Sequence, residues 1–189
     1  MEPHDSLNVS KEAMLNKLER AREYKERGNL NFKNQQLSKA IQSYHSGLMY
    51  MKGLEQDINP NKLFGHSQTP DVSAEMKNEV AGLTADLHNN LAACLLKQQP
   101  VRYERVVECC KRVTELRPSN VKGWYRLGLA HFHLRDFDAA QEALKEADRL
   151  SEGQDTAVKR LLTSNEQELR RENKKFSDMF KNSLLVNKT

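Results

Sequence analysis

Residues Val121–His131 read V-K-G-W-Y-R-L-G-L-A-H, and the fold turns on how that run is read. Trp124, Leu127 and Gly128 recur at three- and four-residue steps, the period of one helix face, and a glycine there lets a second helix approach closely. Ala130, Phe132 and Leu134 continue the helix, Arg135-Asp136-Phe137-Asp138 makes a turn, and Ala140, Leu144 and Ala147 lead into a second helix. The expected unit is a helical hairpin over residues 121–154. Lys122 and Arg126 stand four apart, so both side chains leave one side of its first helix.

The same pattern recurs upstream. On a repeat template of about 34 residues, Gly28 and Gly128 share position eight, and Tyr24 and Trp124 share position four. Ala40 and Ala140 share position twenty, and Gly47 and Ala147 share position twenty-seven. A more disguised copy lies between them. Leu91, Ala92 and Leu95 fill positions seven, eight and eleven, while Tyr103, Val106, Val113 and Pro118 fill later ones. Its internal turn, Gln98–Arg102, runs two residues longer than the template. The repeats are therefore expected at 21–54, 85–120 and 121–154, with an insert at 55–84. Three is about the smallest number of such units that bury one another's faces.

Around the repeats, residues 1–9 show no periodicity and read as a loose terminus, with Ser10 as the N-cap of the first helix. The insert opens with Asp57–Thr69, rich in loop residues, and from about Ser73 Met76, Val80, Leu83 and Leu87 restore the helical period. That lengthens the first helix of the second repeat. After the third repeat, Asp155 can cap a helix over 155–182 with Val158, Leu161, Leu162, Leu169, Phe176, Met179 and Phe180 at helical spacing. Such a helix covers the apolar face that a last repeat leaves bare. Residues 183–189 read as a tail. The domain is expected over 10–182, and the fold class is all-α: three helical hairpins stacked as a solenoid, with a capping helix.

Composition agrees. At 189 residues the chain suits one domain better than two. Charged residues make up 30% and hydrophobic residues 38%, with 8 Gly and 5 Pro, a balance that favours helices over strands. No apolar run approaches the roughly 18 residues that span a bilayer, and the N-terminus lacks a secretory pattern. Three cysteines, two of them adjacent, make neither a disulfide framework nor spaced metal ligands. A soluble, cytoplasmic protein without a membrane span is expected. A net charge of +4 is too mild to argue for nucleic acid. Cys94, Cys109 and Cys110 read as core residues, and His131 and His133, two apart on a helix, make a poor metal pair. With no phosphate loop, nucleophile elbow or carboxylate constellation, neither an enzyme nor a cofactor is expected. Arg170, Arg171, Lys174 and Lys175 read as a solvated helix end.

The functional expectation comes from polar residues on the first helices. Lys25, Asn29, Asn90, Lys122 and Arg126 occupy positions five, nine, six, two and six. At about 100° per residue they fall between roughly 140° and 240°, whereas packing positions four, seven, eight and eleven fall between roughly 340° and 80°. First helices of stacked hairpins line the concave surface, so the five are expected in one groove. Three cations and two amides, with no carboxylate in the set, make an anion receptor; Arg supplies a flat fork suited to a carboxylate.

The hairpins resemble tetratricopeptide repeats. K-E-R-G-N (Lys25–Asn29), N-L-A-A-C (Asn90–Cys94) and K-G-W-Y-R (Lys122–Arg126) resemble the dicarboxylate clamp of chaperone-binding repeat domains. The resemblance implies an adaptor or co-chaperone that grips the terminal carboxylates of a Glu-Glu-Val-Asp tail on a 90-kDa or 70-kDa heat-shock chaperone. It leaves the insert or the C-terminal helix for a second protein partner. The insert and the helix ending F-S-D-M-F (Phe176–Phe180) resemble the repeat region of the large immunophilins, here with no isomerase domain ahead of them. The free-standing layout, with N-N-L-A-A-C-L-L and the Pro100 turn, is most similar to the tetratricopeptide repeat protein 9 family. Three positions depart from the repeat pattern: Gln35 for a turn glycine, Asn31 for an aromatic, and Glu152 for a terminal proline. Ala93, one turn from Asn90, offers little side chain with which to choose between chaperone tails. The alternative reading is a scaffold for another acidic or helical segment, independent of chaperones.

Overall fold

A computed structural model of the chain describes residues 3–58 and 73–186, with side chains over 11–55 and 73–181. Among the described residues there are seven helices and no strand. They are α1 (Pro3–Lys33), α2 (Leu37–Ile58), α3 (Ala74–Leu95), α4 (Tyr103–Leu116), α5 (Val121–His133), α6 (Phe137–Leu150) and α7 (Thr156–Val186). Chain length suggests one domain, but by contacts the helices group into two compact units, residues 1–118 and 119–189. Hairpin repeats touch chiefly their sequence neighbours, so such a chain divides readily between hairpins.

In the first unit α1 packs on α2, α2 on α3 and α3 on α4. Position eight explains the first contact: a Cβ on Gly28 would lie 2.4 Å from the Tyr44 ring. Gly47 brings α3 against α2 in the same way, since a Cβ there would meet Leu87 at 2.9 Å. Leu18, Tyr44, Met51, Leu54, Leu87, Leu91, Val106 and Val113 fill the core. Cys94, Cys109 and Cys110 are all buried, as expected of core thiols, and burial pushes Cys109 up to about 11. The turn from α1 to α2 uses Gln35 at φ 58°, the left-handed region that the missing glycine would have entered without strain. Asn31 donates to Ser43 Oγ at 3.4 Å in place of an aromatic contact.

The second unit repeats the device. A Cβ on Gly128 would lie 2.6 Å from Leu144 Cγ, so α5 and α6 close over Leu127, Ala130, Ala140, Ala143 and Leu144. Arg135 takes φ 61° at the turn position matching Gln35. Asn120 and Asp136 cap α5 and α6, accepting from the Gly123 and Ala139 amides. Glu152 and Gly153, both at positive φ, end α6, and the Gly153 amide closes on the Asp148 carbonyl at 2.9 Å. Asp155 caps α7 through the Ala157 and Val158 amides. Val158 and Asn165 are fully buried against α6, with the Asn165 amide donating to the Phe137 carbonyl and to Gln141.

Three boundaries differ from expectation. Residues 3–9 are helical rather than loose, and Ser10 lies inside α1 rather than at its cap. Pro3 is compatible with a first helical position, where no N–H is needed, and no Gly or Pro interrupts residues 4–27. α7 likewise runs to Val186 instead of stopping at 182, because nothing after Gly153 breaks it. α2 continues through Asp57 and Ile58, into the expected loop; residues 59–69 of that loop lie outside the described residues. α3 begins where the period returns, with Ser73 Oγ accepting from the Met76 amide. Finally, α7 covers α6 only along its first half: Phe176, Met179 and Phe180 are 67%, 64% and 57% exposed.

Candidate functional site

The expected site residues fall into both units, Lys25, Asn29 and Asn90 in the first and Lys122 and Arg126 in the second. Within the first unit α1 and α3 bring three of them together. Asn90 Nδ2 donates to Asn29 Oδ1 at 3.0 Å, and the Tyr44 hydroxyl donates to the same oxygen at 2.9 Å. Burial pushes the Tyr44 hydroxyl up to about 12, so it stays protonated and keeps donating at any ordinary pH. Two donors on Asn29 Oδ1 decide the amide's orientation: its nitrogen is the outward end, reaching Glu26 Oε2 at 3.3 Å. The pair therefore offers N–H groups, the polarity an anion needs.

Lys25 is not a bare cation. Its ammonium lies 3.7 Å from Asp86 Oδ2 and 3.7 Å from Glu26 Oε1, and its side chain is 24% exposed. Asp86 in turn accepts from Arg117 Nη1 at 2.6 Å. The set of five holds no carboxylate, but two from outside it, Asp86 and Glu26, stand beside its first cation. The sequence held a signal for the former. Asp86 precedes Asn90 by four residues, at the template positions that Lys122 and Arg126 hold in the third repeat, so register alone puts it on Asn90's face.

The expected separation of packing and polar arcs also fails on α1. Met14, Leu18, Ala21 and Gly28 are its buried positions, and Lys25 and Asn29 flank that buried stripe rather than oppose it. The cause is α3, which packs on α1 from the side of Lys25 and Asn29, while Tyr24, at the supposed packing position, is half-buried and stacks on Tyr50 at 5.7 Å. On α5 Leu127 and Gly128 are buried as expected, but so are Gly123 and Ala130 outside the expected packing arc, while Trp124 is only half-buried; Lys122 is exposed and Arg126 half-buried.

The remaining polar residues do not build a second chemistry. Among the described residues no three His, Cys, Asp or Glu side chains cluster as metal ligands would, and no helix is long and apolar enough to cross a membrane. His131 Nδ1 lies 2.9 Å from Asp136 Oδ2 across the α5–α6 turn. His88 on α3 is pulled down to about 4, by burial first and by Arg112 and His45 after it, and its Nδ1 is buried without a hydrogen-bond partner.

Comparison with known proteins agrees with this architecture. The tetratricopeptide repeat family model matches residues 121–154. Tetratricopeptide repeat protein 9C of Xenopus tropicalis is 37% identical over 128 residues, which are 67% of this chain and 71% of that protein. Peptidyl-prolyl cis-trans isomerase FKBP4 of Rattus norvegicus is 28% identical over 167 residues, covering 87% of this chain but only 33% of the isomerase. Among solved structures, the C-terminal TPR-containing domain of a Plasmodium falciparum FK506-binding protein superposes with a TM-score of 0.68 at 21% identity, over 84% of this chain and 93% of that one. The first TPR of Spaghetti (RPAP3), bound to the HSP90 peptide SRMEEVD, gives 0.57 at 20% identity, over 80% and 94%. At these identities the likeness establishes the fold, that of tetratricopeptide helical hairpins.

Proposed function

This chain belongs to the tetratricopeptide repeat protein 9 family, and on that footing we propose that it is a non-catalytic, cytoplasmic adaptor that binds the acidic C-terminal tail of a heat-shock chaperone. Lys25, Asn29, Asn90, Lys122 and Arg126 are the residues assigned to the tail's carboxylates. The observation that carries the reading is the outward amide of Asn29, held by Tyr44 and Asn90 beside the Lys25 ammonium. The amide donors of Asn29 and Asn90 with a cation suit one carboxylate; Lys122 and Arg126, one turn apart on α5, suit a second. Support also comes from the solved TPR domain of like fold that carries the HSP90 peptide SRMEEVD.

Several charge-assisted bonds at about 1.5–3 kcal/mol each, set against the ordering of a flexible tail, give micromolar affinity, about −8 kcal/mol. Calorimetry with SRMEEVD and its C-terminally amidated form tests the proposal. The free acid binds, the amide binds far more weakly, and Lys122→Ala or Arg126→Ala each costs tenfold or more. Equal affinity of wild type and both variants, or indifference to amidation, leaves only a general scaffold for acidic or helical segments.

A further inference from the structure

We propose that Asp86 is an internal competitor for Lys25, and that Arg117 sets how strongly it competes. This deepens the clamp reading and rests on it. A ligand carboxylate that takes Lys25 must displace those already there: Asp86 Oδ2 and Glu26 Oε1 each lie 3.7 Å from the ammonium, Glu26 being the more exposed, at 68% against 36%. Asp86 cannot simply swing away, since its other oxygen is held by Arg117 Nη1 at 2.6 Å. Arg117 is itself seated against α3. A Cβ on Gly82 would lie 2.7 Å from its guanidinium, and Gly82 precedes Asp86 by four residues, on the same helix face. The three side chains form a chain of charge, Lys25–Asp86–Arg117, on the first unit alone. Arg117 draws Asp86's charge away from Lys25 and so leaves the ammonium more available to an acidic ligand.

Substitutions at the middle and at the far end of this chain, Asp86 and Arg117, therefore act with opposite sign. Removing the competitor tightens binding, whereas removing Arg117 leaves Asp86 wholly to Lys25 and weakens it. The pair is partly exposed, its side chains 24% and 36% accessible, so the effect is that of a surface ion pair, about threefold in Kd.

The test is calorimetry with the SRMEEVD peptide on the full chain at low salt. Asp86→Asn binds about threefold tighter. The gain is larger in an Arg117→Gln background and falls away in a Lys25→Ala background, a coupling that a general change of charge does not produce. Glu104→Gln is the control, the same change of charge on α4, which packs on α3 rather than α1. Circular dichroism of each variant excludes loss of fold, and Asp86→Ser serves if Asp86→Asn melts early. A gain equal to that of Glu104→Gln, or one that survives Lys25→Ala unchanged, overturns this inference and leaves the clamp standing. No binding by wild type or by Asp86→Asn overturns both.

Discussion

Replacing Gly28 with alanine tests at once how the first hairpin closes and how its site is held. The new Cβ would sit 2.4, 2.6 and 2.8 Å from three atoms of the Tyr44 ring, against about 3.5–4.0 Å for an ordinary carbon contact. One group must move by an ångström or more. The ring is poorly placed to yield, being 1% exposed and tied through its hydroxyl to Asn29 at 2.9 Å. Alanine gains about 1 kcal/mol of helix propensity over glycine, and overpacking costs about 1–3 kcal/mol, or more when the neighbour is rigid. The clash wins, for a net loss of about 2 kcal/mol. In a chain of this size that lowers Tm by roughly 4–8 °C. Gly53→Ala is the counterpart with the opposite sign: its Cβ would meet only Lys17 Nζ, at 3.8 Å, so propensity acts alone and stability rises by about 0.5–1 kcal/mol. Thermal melts followed at 222 nm compare the three proteins. A Gly28→Ala protein as stable as wild type, beside a stabilised Gly53→Ala, refutes the account of position eight. Because Tyr44 orients Asn29, the destabilised variant should also bind an acidic peptide more weakly.

Three further outcomes follow from buried and exposed groups. His88 has a folded pKa of about 4, below its ordinary 6.5, so the unfolded chain takes up the proton first as pH falls. Its contribution is complete above about 6.5 and is lost down to about 4, some 2 kcal/mol after allowance for its partial exposure. Urea titrations at several pH values should show a steeper acid loss for wild type than for His88→Gln, and parallel curves would refute the assignment. Along α7, Val158→Ala should cost about 1–3 kcal/mol because the side chain is fully buried. Phe176→Ser, at 67% exposure, should leave Tm within about a degree; a large drop there would mean that the end of α7 is covered.

The repeats were legible because their signals are local. A glycine at position eight, an alanine at position twenty and the apolar steps between them name a hairpin from within one stretch of chain, and Gly28–Tyr44 and Gly128–Leu144 meet as that register requires. Helix ends were less legible. Residues 3–9 and 183–186 carry no apolar period, yet with no Gly or Pro to stop it the helix simply continues.

The candidate site divides along the same line. Sequence alone determined which five side chains stand at the designated positions of the first helices, since a helical period is enough to rank residues on a face. Only the tertiary structure decided their surroundings. That Asn29 turns its nitrogen outward depends on Asn90, 61 residues away, and that Lys25 shares Asp86 with Arg117 depends on where α3 and the end of α4 lie. Hydrogen bonds and ion pairs are short-ranged and join residues far apart in the chain, so periodicity can place the donors but not say which acceptors already hold them.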